Sequence, residues 1–103
     1  MTLPEFYNKL KSTGIPVAYQ FFDEKDAPDL PIIVYTVPYN NNFSADGRVY
    51  KKISHIQIEL YTKKKDLETE DKVETALSSF YWTKEEEYLS DEKCYRIMYE
   101  MEV

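Results

Sequence analysis

Cysteine, glycine and histidine are scarce in this chain, and their scarcity excludes several kinds of site. Among 103 residues there are one cysteine, one histidine and two glycines. The lone cysteine, Cys94, permits no intramolecular disulfide and no four-cysteine zinc site, which suits a reducing compartment. Gly14 and Gly47 lie too far apart in sequence to form a glycine-rich phosphate loop.

Long apolar runs and a positive net charge are also missing. No apolar run approaches the roughly 18 to 20 residues that span a bilayer, and the first residues lack the basic start and apolar stretch of a signal peptide. Lysine and arginine total 13 against 19 acidic residues, and the net charge of -6 disfavours nonspecific binding to nucleic-acid phosphates. We therefore expect a cytosolic protein with no membrane partner and no sequence-specific nucleic-acid partner.

The pattern of apolar residues predicts one α+β domain that covers residues 1–103. We expect helices at residues 2–13 and 66–80, and strands at residues 17–22, 32–37, 55–61, 81–89 and 94–103. The predicted order is therefore helix, three strands, helix, two strands. Sequential strands of this kind favour a mainly antiparallel sheet of about five strands, with both helices packed on one face.

The connections between the strands carry their own signals. The polar stretch at residues 23–29 predicts a hairpin loop between the first two strands. Residues 39–47 form a long polar connection, in which Asp46-Gly47 is the strongest turn pair of the chain. After it, Ile56, Ile58 and Leu60 alternate with polar residues, which predicts the inner face of a half-buried strand.

The sequence offers no catalytic constellation, and we predict no catalytic, cofactor-binding or metal-binding residues. His55 is the one histidine available as a base, and it falls on the polar face of its predicted strand. Cys94 is typical of a small buried hydrophobic residue. The acids at 85–87, 91 and 92 lack the spacing of an EF-hand and indicate a charged hairpin face. An enzyme that uses His55 and Cys94 is the alternative hypothesis.

Aromatic residues are abundant, at 16% of the chain with 10 Tyr, 5 Phe and 1 Trp. Tyrosine favours strands, but it also anchors protein interfaces, and a small domain has few buried sites for so many rings. We expect part of the set to contact another subunit, with the polar connection as a docking arm; the alternative for that connection is a mobile loop in solvent. The candidate subunit-contact residues are Tyr35, Tyr39, Asn41, Phe43, Arg48, Tyr50 and Tyr61.

Three stretches carry a resemblance to a known family: the opening helix at residues 2–16, the block at residues 43–66 with its Ile-Glu-Leu-Tyr strand end and lysine-rich turn, continued by the helix with Val73, Ala76 and Leu77, and the closing strand at residues 92–103. Together they resemble the tail terminator or tail-completion proteins of long-tailed bacteriophages and prophages. The resemblance implies a structural α+β subunit that forms a ring, usually a hexamer, on the last ring of tail tube protein. Such a ring stops tail growth and joins the tail to the head.

The same resemblance implies partners and a location. The partners are other copies of the chain, the tail tube protein and head-tail connector proteins, and DNA passes through the ring. Assembly takes place in the host bacterial cytoplasm, and the protein ends in the tail or neck of the virion. The resemblance implies no cofactor and no catalytic residue. Two other functions stay open: another head-tail connector or neck adaptor, and a small acidic inhibitor that mimics DNA.

Overall fold

The computed structural model describes residues 2–23, 28–40, 42–45, 47–51 and 53–103. These residues form an α+β fold, and its elements follow in chain order. They are α1 (Leu3–Lys11), β1 (Val17–Tyr19), β2 (Ile32–Asn40), β3 (Phe43–Ala45), β4 (Arg48–Lys51), β5 (Ser54–Thr62), α2 (Leu67–Ala76), β6 (Trp82–Leu89) and β7 (Cys94–Glu102). Neither helix is long and apolar enough to cross a membrane.

The main sheet has five strands in the order β1-β2-β5-β7-β6, and a second sheet contains β3 and β4. Strands β2, β5, β7 and β6 pair antiparallel, so the prediction of a mainly antiparallel five-stranded sheet is confirmed. The predicted hairpin between the first two strands is wrong, because β1 pairs with β2 in parallel. β1 is also shorter than predicted: Gln20 adopts a left-handed conformation (φ 69°) that turns the chain out of the sheet.

The predicted order of elements lacks two strands, and the predicted end of the second helix is also wrong. Two short strands, β3 and β4, occupy the region for which the sequence indicated only a long connection. Helix α2 ends at Ala76 rather than near Phe80, since Leu77 leaves helical geometry and the chain continues as a turn in which Phe80 N–H donates to the Leu77 carbonyl at 2.9 Å. The Phe80 ring still packs against the core from this turn, which explains why the apolar pattern extended the predicted helix to residue 80.

The core lies between the helices and the inner side of the main sheet. Ile56, Ile58 and Leu60 of β5 are fully buried, as their alternation predicted. The inner residues of β7, Ile97, Tyr99 and Met101, are opposite them. Both helices contribute to this one cluster, through Phe6 and Leu10 of α1 and through Val73 and Leu77 of α2. Burial of each such side chain stabilises the fold by about 1.5 to 3 kcal/mol.

The local sequence sets the helix ends. Thr2 caps α1 by accepting a hydrogen bond from the backbone N–H of Glu5, and the chain leaves the helix at Gly14, which has a φ of 80°. Asp66 caps α2 by accepting from the backbone N–H of Thr69 at 3.1 Å. This last hydrogen bond contributes to a pKa of the Asp66 carboxyl below its ordinary value, and the Thr69 hydroxyl contributes most.

Candidate assembly surface

Strands β3 and β4 form a two-stranded hairpin, which we call the arm. The arm lies between β2 and β5 in the chain, because β3 follows β2 and β4 precedes β5. Asn40 lies opposite Ser54 at the end of the β2–β5 ladder, and Phe43 lies opposite Lys51 in the arm. Between the two ladders, the side-chain oxygen of Asn42 accepts a hydrogen bond from the backbone N–H of Ile53 at 3.0 Å. The arm is therefore connected in sequence to two paired strands of the main sheet.

The arm finds little support within its own chain. In the described part of the chain, β3 and β4 make their main contacts with each other, and neither strand joins the main sheet. The described residues extend over 50 Å in one direction and over 28 and 25 Å in the others, as expected for a body with a projecting extension. A two-stranded hairpin alone is at best marginally stable in water. The arm therefore gains stability from any second surface on which it packs.

Three of the predicted contact residues belong to the arm and a fourth is next to it in sequence. The backbone of Phe43 lies in β3, and the backbones of Arg48 and Tyr50 lie in β4. Asn41 lies outside the described residues. The segment that the sequence indicated as a docking arm thus has the form of a hairpin rather than of an irregular loop.

The other three predicted contact residues are scattered. Tyr35 is only 8% exposed, and its ring contacts Phe6 and Tyr19 edge-on, so it belongs to the core of one chain. Tyr39 is 56% exposed and stacks on the His55 ring at 4.4 Å, at the base of the arm. Tyr61 lies at the far end of β5. Of the three, Tyr39 alone is placed beside the arm.

Strand β6 is the exposed edge of the main sheet opposite β1, a feature that sequence reasoning did not identify as a site. In the described chain its one strand neighbour is β7, so the backbone groups along its free edge lack a strand partner. Six successive residues, Thr83–Tyr88, are exposed. Three of them are Glu85, Glu86 and Glu87. The edge is preceded by Tyr81, whose side chain is 92% exposed.

Ion pairs fix the inner side of β6 to helix α2. Lys84 contacts the carboxylates of Glu70 at 2.7 Å and Glu74 at 2.9 Å. Lys65 contacts Glu70 at 2.8 Å and also pairs with Glu86 of β6. The side chain of Glu70 is 2% exposed, so it is a buried carboxylate held between two lysines. These five residues form what we call the charge cluster.

The charge cluster shifts the ionisation of its members. Burial acts to raise the pKa of the Glu70 carboxyl, but hydrogen bonds from Lys65 and Lys84 outweigh it and lower this pKa below its ordinary value. Burial of the Tyr99 hydroxyl, together with its 2.8 Å hydrogen bond to Glu74, raises the pKa of Tyr99. The geometry of the cluster is that of a structural clamp between α2 and β6.

The outer side of the main sheet is polar. Glu87 of β6 accepts a hydrogen bond from Arg96 of β7 at 3.0 Å. On β5, the Tyr61 hydroxyl donates to Glu59, and burial together with this hydrogen bond raises the pKa of Tyr61 to about 12. Glu85, which shares this side with Glu87, has no ion-pair partner among the described residues.

The structure separates the two residues of the alternative enzyme hypothesis. His55 lies opposite Glu102 at one end of β7, and Cys94 begins the same strand eight residues earlier, about 27 Å away at the usual rise per residue. Cys94 is buried, and burial raises the pKa of its thiol. His55 Nε2 lies 3.7 Å from Glu100 and borders an open groove of about 420 Å³. No group of three acidic, histidine or cysteine side chains in the described ranges is placed to hold a metal ion.

Comparison with protein-family models and with curated proteins finds no match to this chain.

Proposed function

We propose that the protein is a self-assembling structural subunit of the tail terminator type, which forms a ring at the end of a phage tail tube and joins the tail to the head. The arm is the observation that carries this proposal. Its two strands pair with each other and with no strand of the main sheet in the described chain. A hairpin of this kind needs a second surface, and in a ring the neighbouring subunit supplies one.

Exposed aromatic rings support assembly as well. Four aromatic residues are more than half exposed, so each presents a large ring to solvent. They are Phe21, Tyr39, Tyr81 and Tyr88. Tyrosine and phenylalanine are enriched at protein interfaces, where their burial supplies much of the binding energy. Tyr39 lies at the base of the arm, and Tyr81 and Tyr88 lie at the two ends of the edge strand β6. Three of the four rings therefore lie beside the arm or beside the β6 edge.

The charge of the chain is compatible with a ring around DNA. The net charge is -6, and like charge reduces adhesion of the phosphate backbone to the wall of a channel. An assembled ring whose lumen is basic would contradict this part of the proposal.

The experiment is electron microscopy of particles made by the parent phage, or by an inducible prophage, after deletion of this reading frame. We expect overlong tail tubes beside filled heads that lack tails, because nothing stops tube growth. The wild-type gene supplied from a plasmid should restore tails of normal length. A plasmid that carries the gene with an early stop codon is the matched control.

Two other results would overturn the terminator function, and each would indicate a different function. Tails of normal length that fail to join heads would assign the chain to a head-tail connector or neck adaptor. Normal infectious particles would remove the structural function and favour an acidic inhibitor that mimics DNA. Tight binding of the purified protein to a host nuclease would then identify that inhibitor.

A further inference from the structure

We infer that the arm of one copy docks through β4 on the β6 edge of the next copy, as an added strand. This inference rests on the proposed function, because it names the contact that would join neighbouring subunits. One chain carries both halves of the contact: a hairpin outside the main sheet and a long edge strand without an outer neighbour in the described residues. Addition of a strand to such an edge is a common mode of protein recognition.

Charge decides which strand suits the edge. Strand β4 has the sequence Arg-Val-Tyr-Lys, and the next residue in the chain is Lys52, whereas the middle of β6 has the sequence Lys-Glu-Glu-Glu. Opposite charges on paired strands stabilise a sheet, and like charges directly opposite each other destabilise it. Pairing of two β6 edges would set glutamates against glutamates. The edge therefore disfavours a second β6 and favours a cationic strand such as β4.

The edge is rigid before any partner arrives. Lys84 and Glu86 on its inner side are held by the charge cluster, and Trp82 packs edge-on against the buried Tyr99 ring at 5.4 Å. A preformed edge costs little ordering free energy on binding. On its outer side, Glu85 has no ion-pair partner in the described part of the chain, so a cation of the incoming strand meets an available carboxylate. Those features favour β6 as the edge to which a strand of another copy is added.

The strand order favours a contact between different copies. The arm is connected to β2 and β5, and β7 separates β5 from β6. Adjacent strands are about 4.8 Å apart, so β6 lies about 10 Å from β5. The two surfaces also differ from each other, and a contact between unlike surfaces is head-to-tail. Repetition of such a contact builds a ring when the rotation closes.

The test is chemical cross-linking between two singly substituted chains, both in a Cys94→Ser background. One chain carries Lys51→Cys in the arm, and the other carries Glu85→Cys on the edge with an affinity tag that changes its mass. The purified chains are mixed and treated with a short bismaleimide. We expect the mixed dimer to exceed either homodimer at least fivefold, with the link mapped to positions 51 and 85 by mass spectrometry. Homodimers at or above the level of the mixed dimer, or no mixed dimer, would overturn the inference.

Charge reversal provides the matched test of the electrostatic argument. Arg48→Glu added to the arm chain should lower the yield of mixed dimer at least tenfold, because it brings a carboxylate to the acidic edge. Lys72→Glu on the exposed part of α2 is the control, since it changes the net charge by the same amount and in the same direction without touching the edge. Loss of yield with Lys72→Glu, or no loss with Arg48→Glu, would contradict the pairing of β4 with β6.

This experiment can fail independently of the proposed function. A 51–85 link in a protein whose deletion leaves tails normal would retain the contact and overturn the tail function. Overlong tails after deletion, without a 51–85 link, would retain the tail function and overturn the contact.

Discussion

The main sheet and the arm are two separate sheets, and they differ in what each contacts within the described chain. Within β5, the inner side chains of Ile56, Ile58 and Leu60 are fully buried beneath the helices. At Ser54 the main sheet is still paired on both sides, since Ser54 lies opposite Asn40 and exchanges two backbone hydrogen bonds of 3.0 Å with Val103. The strands β3 and β4 form a sheet of their own, and β7 is not part of it.

The difference separates folding from assembly. The free energy of folding resides in the cluster between helices and sheet, because burial of apolar area is the dominant favourable contribution. The arm contributes a short ladder whose backbone hydrogen bonds are each worth about 1 kcal/mol net, roughly offset by the entropy of ordering its residues. A region of this kind adds little to the fold of one chain and is free to serve a neighbour.

The largest expected effect is on the unfolding free energy, from a change in the core between the helices and the main sheet. Leu60→Ala removes a fully buried side chain of β5, and we expect the free energy of unfolding to fall by about 3 kcal/mol because a cavity remains. Urea denaturation followed by circular dichroism measures it. Leu67→Ala, at an exposed leucine of α2, is the control and should cost well under 1 kcal/mol. Equal losses for the two variants would contradict the assignment of the core.

The next effect concerns the charge cluster. Glu70→Gln removes the buried carboxylate that holds Lys65 and Lys84, and we expect a loss of about 2 kcal/mol of unfolding free energy at pH 7. The lysines are partly exposed and can turn to water, which limits the loss. Glu68→Gln, at an exposed neighbour on the same helix, should change the unfolding free energy by less than about 0.5 kcal/mol.

The pH dependence gives a second readout of the same carboxylate. The pKa of Glu70 is lowered in the folded protein, so its contribution is fully present above the ordinary carboxyl value of 4.5 and is lost as the pH falls through the lower, folded value. The difference between wild type and Glu70→Gln should therefore shrink below about pH 4.5. A difference that stays constant down to pH 3 would show that the charge of Glu70 is not the cause.

Some features of the fold could be predicted from the sequence, and the reasons are physical. The alternation in β5 is a local pattern, and it survives into the structure. The direction of β1 was missed because three residues, Val17–Tyr19, fit a parallel or an antiparallel neighbour equally well. The arm was missed as a hairpin because strands of three and four residues are too short to display alternation. Of the predicted turn pair, Gly47 has a φ of 72°, and Asp46 lies outside the described residues.

The candidate site was predicted less completely. The docking arm was predicted from the polar connection and the aromatic residues, and it stays a prediction, whereas Tyr35 belongs to the core. The β6 edge was missed because the position of a strand in a sheet depends on contacts distant in sequence. Glu70 had a usable signal: it lies three residues before Val73 and seven before Leu77, which places a carboxylate on the apolar side of α2.

A smaller effect on the unfolding free energy is expected at the base of the arm, where Tyr39 and His55 lie. Tyr39→Ala removes the ring that stacks on His55 at 4.4 Å, and we expect a loss of about 0.5 to 1 kcal/mol of unfolding free energy. Tyr81→Ala removes a ring that is almost fully exposed and should leave the unfolding free energy unchanged. A loss of 3 kcal/mol for Tyr39→Ala would mean that the base of the arm belongs to the cooperative core.

The smallest effect on the fold, and the most direct test, comes from removal of the arm. Residues 41–53 are replaced by Asn-Gly, which joins the opposed residues Asn40 and Ser54 by a two-residue hairpin turn. We expect the unfolding free energy to change by less than about 1 kcal/mol, while the variant fails to restore normal tails in the deletion phage. Loss of cooperative unfolding, or full restoration of normal tails, would contradict the conclusion that the arm serves assembly and not the fold.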